Sequence, residues 1–547
     1  MRYWVSAAAL AVGLSTAVPA WAGEKQDFEA CDGRVHPARQ DDGMRGEPNK
    51  PSYLRSTFST PATTIAACNR ALASSRLLPT QTVRRAHLLR ARAAAHLQTG
   101  DTAKALADLA QAQAAAPDRA NDRFYRRSMG VSLDLLGAIA HAKAGDSGRA
   151  RALVQAAMAQ RPYSSQVQQL GAQIVQAVAD GTTNARSDWA MAMRLDPRAA
   201  TSVLLREAEV GNFAAVLALR PGITLNWPEK APPSLALLGG DSGGGVDLMS
   251  ALLVSLHTAY AYAATGAPDK AKAELAGIRS RMQALKAPPA EKDKTKAALP
   301  NLAALLESAV EVKVKQVEAR IAVAERRNSE AIAAMVGASL PKDAATTDLI
   351  KSLKAAASPT EAALVPDAAA FTFDATKKQR DNLSRLASQA LIAPETPRAV
   401  VDYEKSRPNI LGALVGGALS MGTSLLGGID RLDGFRSKAN ADGTTKVEFV
   451  GNTPSALLVQ EMTLLRAAEV TRAAGKPAFV IVERKDYSRV MRTMQYGVEI
   501  SSTPTGFKTE MDIRFLDSAD QSPRALDALA VIDALGPLYY EEKRTRA

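Results

Sequence analysis

The chain has 547 residues, 68 lysines and arginines against 56 acidic residues, a net charge of +12, and two cysteines. At about 150 residues per domain this length holds roughly three or four domains, and an alanine-rich composition with 5% aromatics suits close-packed helices better than a large sheet. The basic excess does not point to nucleic acid, because no aromatic residues interleave its helical arginines.

In chain order, Arg2 precedes an apolar run over 5–18, and Ala20-Trp21-Ala22 puts small residues where signal peptidase reads. This predicts a signal peptide over 1–22, cleaved after Ala22, and export to a bacterial periplasm; secretion from a eukaryotic cell is the other reading. The run is too short for a membrane span, and no cysteine follows the cleavage site to carry lipid. Residues 23–60 are rich in Pro, Gly, Asp and Arg and predict an irregular arm. In an oxidising compartment Cys31 and Cys68 are expected to bridge, and the closed loop would contribute roughly 3–4 kcal/mol of chain entropy. Two separate thiols are the alternative.

Over 51–100 there are seven arginines (Arg55, Arg70, Arg76, Arg84, Arg85, Arg90, Arg92) and no acidic residue. Such a patch attracts an acidic peptide, anionic lipid or envelope polymer, and Arg84, Arg85 and Arg92 are the candidates for partner contact. The alternative is a solvated face.

A helix is expected after Pro61, capped by Thr63 or Thr64. The stretch 86–117 then reads as two amphipathic helices meeting at Gly100-Asp101, with Ala105, Leu109, Ala112 and Pro117 following the glycine; Gly145-Asp146 repeats the spacing with Ala150, Val154, Ala157 and Pro162. Alanines let paired helices approach, and the glycine ends one helix in a left-handed conformation. These positions resemble a tetratricopeptide (TPR) repeat. The resemblance implies a helical solenoid that holds a protein or peptide partner. Arg92, His96 and His141 depart from its apolar pattern. A degenerate unit follows around Leu204, Ala208 and Gly211-Asn212, and a further one around Tyr262, Gly266, Ala271 and Leu275.

The expected organisation is TPR-like helices over 61–226, a Pro/Gly linker over 227–247, further TPR-like helices over 248–358, a connector over 359–429, and an α+β domain over 430–547. Within the connector, 409–429 carries no charge and six glycines. Its length would span a bilayer, but the glycines favour a loop or a membrane-touching segment.

From residue 430 the period changes to two. Strands are expected at 446–450, 479–482, around Tyr496, Val498 and Ile500, and at 507–515, where Phe507, Thr509, Met511, Ile513 and Phe515 alternate with charged residues. A helix opens at Thr453-Pro454, and a last one at Ser522-Pro523 with Leu526, Leu529 and Ile532 inward. One solvated sheet face implies mostly antiparallel pairing. Asp433-Gly434-Phe435, the run 447–452, the run 464–471 and the run 478–481 look like a family of small, uncharacterised proteobacterial envelope lipoproteins. That resemblance implies location rather than a reaction, and the lipid-attachment cysteine is missing. The run 479–484 is also similar to a strand of curli-type secretion proteins.

No reaction is named by the residues. The five histidines are scattered, with no metal-ligand spacing; nucleophile elbow and phosphate loop are both missing. No cofactor is expected. The fold class expected is mainly α, a TPR-like α-solenoid followed by a small α+β domain. The function expected is a periplasmic scaffold without catalysis, binding a protein or peptide and no nucleic acid. The alternatives are an envelope transport or assembly component touching membrane through 409–429, and an enzyme using C-terminal carboxylates among Glu461, Glu469, Glu483 and Asp486.

Overall fold

The computed structural model describes residues 23–39, 44, 60–178, 185–228, 243–286, 302–335, 340–372, 374–395, 434–451, 455–495 and 498–540. The expected signal peptide 1–22, the segment 409–429, Thr453-Pro454 and Tyr496 lie outside them.

Helices α1 (Glu24–Asp32), α2 (Pro61–Ala73), α3 (Thr82–Thr99) and α4 (Thr102–Ala115) come first. A turn, α5 (Arg123–Tyr125), and a π-turn over Arg126–Gly130 lead into α6 (Val131–Ala144), α7 (Ser147–Gln160) and α8 (Ser165–Ala177). Next come α9 (Ala185–Asp188), α10 (Ala190–Leu195), α11 (Ala199–Glu209) and α12 (Phe213–Leu219). The second helical block holds α13 (Gly243–Ala264), α14 (Pro268–Lys286), α15 (Leu302–Ala324), α16 (Asn328–Met335), α17 (Ala344–Ala356), α18 (Pro359–Ala362) and α19 (Ala375–Leu386). The C-terminal domain consists of β1 (Gly434–Ala439), β2 (Thr445–Gly451), α20 (Ala456–Ala473), β3 (Ala478–Gln495), β4 (Val498–Leu516), β5 (Leu526–Asp527) and α21 (Ala528–Tyr539). The protein is thus mainly helical, with a small antiparallel sheet at its end.

Helix reversals rest on single left-handed residues. Gly100 (φ 84°), Gly145 (φ 86°), Gly211 (φ 81°) and Gly266 (φ 85°) separate α3/α4, α6/α7, α11/α12 and α13/α14, and Arg326 (φ 63°) separates α15/α16. After the first three glycines an Asx side chain caps the next helix: Asp101 accepts from Lys104 N, Asp146 from Arg149 N and Asn212 from Ala215 N. Ala105, Leu109, Ala112, Ala150, Val154 and Ala157 are all buried where the paired helices meet. They join Leu97, Leu136, Ile139 and Ile174 in one core, in which each large aliphatic side chain contributes about 1.5–3 kcal/mol of burial.

The helical part differs from expectation in places. Residues 24–32 of the supposed irregular arm form α1, whose Phe28 is buried and whose Cys31 is disulfide-bonded to Cys68 of α2, with Cα atoms 4.6 Å apart. The expected linker ends inside a helix, since α13 begins at Gly243. Within the segment expected as a connector, Leu383, Ala387, Ala390 and Ile392 are buried in the core of the first helical block.

The sheet order is β1-β2-β4-β3-β5, antiparallel throughout. Phe435, Val447, Phe449, Phe479, Ile481, Phe507, Met511 and Ile513 pack beneath α20 and α21. The strands expected near 498 and at 507–515 are one strand, β4. It pairs with β3 out to Gln495↔Val498, well past Gly451, where β2 ends. The last helix does not open at Ser522-Pro523. Leu526 first pairs with Phe479 in the sheet, Asp527 then caps α21 through Ala530 N, and Leu529 is exposed.

Phe124 and Leu195 of the helical part sit in the core of this domain. Behind them Arg127 and Arg161 meet Glu395 and Glu461, all four at least 94% buried. Arg127 Nε lies 2.8 Å from Glu395, Arg161 Nη2 2.8 Å from Glu395 and Arg161 Nε 2.7 Å from Glu461. Arg127 also contacts Glu461, and the Tyr539 hydroxyl donates to Glu461 at 2.5 Å. Two guanidiniums balance two carboxylates, so repeats, connector and C-terminal domain share one neutral, water-excluded junction. Among the described residues no helix is long and apolar enough to cross a membrane.

Candidate functional site

Helix α8 sits between the first helical block and everything that follows. Val167, Leu170, Ile174 and Ala177 point into the core. Gln166, Gln169, Gln173 and Gln176, at helical spacing, form a stripe on another face. That stripe borders two cavities, of about 670 and about 620 Å³, with Gln173 lining both. From Gln166 to Gln176 the helix rises about 15 Å, the length of four or five extended residues.

The first cavity lies between α3, α8, residues 388–393 and the start of α20. Gln98, Gln166, Gln169, Gln173, Gln389 and Gln460 line it, with Thr64, Ser165, Ser388 and Ser455. Among the described residues its lining holds no aromatic side chain on which a flat ring could stack. Its charges alternate: Arg198 pairs with Asp196 at 3.0 Å and Asp486 at 3.4 Å, and Arg484 with Asp486 at 3.0 Å. Burial pushes the Asp196 carboxyl up, but the Arg198 hydrogen bond and charge outweigh it and hold it below its ordinary range. It is therefore an ionised acceptor at neutral pH, unsuited to donating a proton.

One rim of this cavity is the chain's own main chain. Residues 391–395 have neither helix nor strand bonding. Gln166 Nε2 donates to the Gln389 carbonyl at 2.5 Å, and Arg90 Nη1 to the Ile392 carbonyl at 2.7 Å. Ser132 Oγ donates to the Ala390 carbonyl and accepts from Ile392 N, while Ser128 Oγ accepts from Glu395 N at 3.1 Å. The helical pairs thus hold a non-helical peptide segment through its backbone, using amide, hydroxyl and guanidinium side chains.

The second cavity lies between α8, α11, α13, α15, α17 and α19. Arg206, Lys313, Lys342 and Lys378 line it beside Glu209, Asp343 and His257. Arg206 and Lys378 share Glu209 at 3.2 and 2.6 Å, and Lys313 contacts Asp343. Burial, helped by the Lys313 charge, pushes His257 down to about 4, so its imidazole is neutral at pH 7.

The arginines expected to meet a partner lie elsewhere. Arg84 is fully buried, its Nε 3.0 Å from Asp32, and so does not face a partner. Arg92 binds Asp108 through two hydrogen bonds of 2.8 and 2.6 Å. Arg85 is half-buried on the same helix. The C-terminal carboxylates do not converge: Glu461 is in the buried junction, Glu469 pairs with Arg466 at 3.1 Å, and Glu483 pairs with Lys485 at 2.9 Å. Among the described residues no three His, Cys, Asp or Glu side chains gather so as to hold a metal ion.

The sequence signal for the groove was present in the glutamine spacing of 166–176. The second cavity had none, since its cations come from four separate segments. No protein-family model matches the chain, and no curated protein matches its sequence.

Proposed function

We infer that the protein is an exported, TPR-type scaffold of the periplasm that holds a polypeptide segment by its main chain in the glutamine-lined groove along α8. The observation that carries this reading is the internal precedent: Gln166, at one end of the stripe, already donates to the Gln389 carbonyl. Gln169, Gln173 and Gln176 continue the same chemistry along the open cavities. A side-chain amide offers one acceptor and a donor group, the complement of a peptide unit. A groove whose first cavity is balanced in charge and, among the described residues, free of aromatic lining gives main-chain recognition with loose sequence preference. The disulfide is compatible with an oxidising compartment, and no catalytic step is assigned.

The test is titration of the mature chain, residues 23–547, with fluorescein-labelled seven-residue Ala/Ser/Leu peptides. Gln173→Ala with Gln460→Ala removes two groove amides and is expected to weaken binding about tenfold, with the melting temperature unchanged. Equal binding by the variant would overturn the reading.

A further inference from the structure

We propose that the second cavity, between α8, α11, α13, α15, α17 and α19, is a carboxylate subsite that receives an acidic residue of the peptide lying in the groove. The inference rests on the groove reading and adds to it the chemistry and orientation of the partner.

Two independent observations converge. The first is charge. Among the described lining residues, four cations (Arg206, Lys313, Lys342 and Lys378) stand beside two carboxylates (Glu209 and Asp343). The first cavity is balanced, Arg198 and Arg484 against Asp196 and Asp486. One end of the groove therefore favours an anion and the other does not. Low-dielectric walls strengthen that preference beyond what the same charges would give on an open surface.

The second observation concerns donors. Gln176 and Trp189 line the same cavity and are 5% and 3% exposed. Gln176 Nε2 and Trp189 Nε1 are buried with no hydrogen-bond acceptor. Buried donors without partners are uncommon, because each forfeits its hydrogen bonds to water without gaining one in the protein. Both lack an acceptor, which is what a carboxylate supplies, with two oxygens and several lone pairs. Gln379 Oε1 in the same wall is a buried acceptor without a donor, which suits the N–H of the residue that carries the carboxylate. His257, kept neutral by burial, adds a donor on one ring nitrogen.

A peptide therefore lies with its acidic residue toward Gln176 and its neutral residues toward Gln166. Since Gln173 lines both cavities, the acidic residue and the first groove-bound peptide unit are adjacent or one residue apart.

The test uses the mature chain and three labelled seven-residue peptides that differ only at two consecutive positions, Ala-Ala, Glu-Glu or Lys-Lys, read by fluorescence anisotropy at low salt. The expected result is at least tenfold tighter binding of the Glu-Glu peptide than of the Ala-Ala peptide, and weaker binding of Lys-Lys. Lys342→Gln with Lys378→Gln, both at exposed positions, should cut the Glu-Glu preference below threefold and leave Ala-Ala binding unchanged. Equal binding of all three peptides by the wild-type chain would overturn the subsite and leave the groove standing. So would a Glu-Glu preference that survives in the variant. Binding of none would overturn the groove and the subsite with it. Displacement of the Glu-Glu peptide by inorganic phosphate or free glutamate at concentrations near the peptide's own Kd would also overturn it, as the cavity would then be a small-anion site.

Discussion

Arg161 and Glu461 are 300 residues apart in sequence, yet Nε of one lies 2.7 Å from Oε1 of the other and both side chains are 1% exposed. Burial alone would push the Glu461 carboxyl up, but Arg127 and Arg161 outweigh it and hold it below its ordinary range. Removing one partner strands a buried charge. Glu461→Ala is expected to destabilise the protein by about 3–5 kcal/mol. Tyr539→Phe, which loses the hydrogen bond to the same carboxylate and the one accepted from Arg127 at 3.3 Å, should cost about 1–3 kcal/mol. Guanidinium unfolding followed by limited proteolysis checks both, and Glu461→Ala should release the C-terminal domain before the repeats unfold.

The Cys31–Cys68 bond closes 37 residues of sequence separation and holds α1 against α2 and α3. Chain entropy values such a loop at about 3–4 kcal/mol. Cys31→Ser with Cys68→Ser, or reduction of the wild type, should lower the unfolding free energy by that amount and the midpoint with it. Reduction should have no effect on the double variant.

Asp32 is buried between Arg84 and His87, with His87 Nδ1 2.8 Å from the carboxylate. Burial, with Arg90 nearby, pushes His87 down to about 3 against the pull of Asp32. The unfolded imidazole takes up its proton near pH 6.5, so between these values the unfolded chain binds more protons and stability falls as pH falls. Between pH 6.5 and 4.5 this site should lose about 2 kcal/mol. His87→Gln, which keeps a donor for Asp32 and does not titrate, should show a flatter stability profile over that interval.

Two glycines separate backbone from packing effects. At Gly145 a Cβ would meet nothing within 4 Å, and only the left-handed φ of 86° opposes a side chain. Gly145→Ala should cost about 1–2 kcal/mol. At Gly171 a Cβ would lie 2.7 Å from the Met158 sulfur, so Gly171→Ala forces α7 and α8 apart or moves Met158, at about 1–3 kcal/mol. Met158→Ala should rescue the second variant and not the first.

What the sequence disclosed follows from the range of the interactions. Gly100-Asp101 and Gly145-Asp146 were legible because a left-handed residue and its neighbouring cap act within one turn. The alternation over 507–515 was legible because one sheet face is solvated. Helix α1 was missed because its stability comes from Phe28 burial and a bond to Cys68, not from its own periodicity. Ser522-Pro523 looked like a helix start, but the chain first spends Leu526 and Asp527 on pairing with β3. Arg84 read as a surface charge because its acid, Asp32, is 52 residues away. The glutamine stripe could be read from 166–176 alone, whereas the cations of the second cavity converge only through tertiary packing.

The central claim is that the groove holds a main chain. Its most direct test is to titrate residues 23–547 with a Glu-containing seven-residue peptide, the same peptide with two central backbone nitrogens methylated, and a scrambled sequence of the same composition. Two lost main-chain hydrogen bonds amount to about 2 kcal/mol, or roughly thirtyfold in affinity. The account predicts that the N-methylated peptide binds at least tenfold more weakly, and that the scrambled peptide binds within a few-fold of the parent if its acidic residue keeps its place. Equal binding of the methylated and parent peptides, with loss of binding on scrambling, would contradict it.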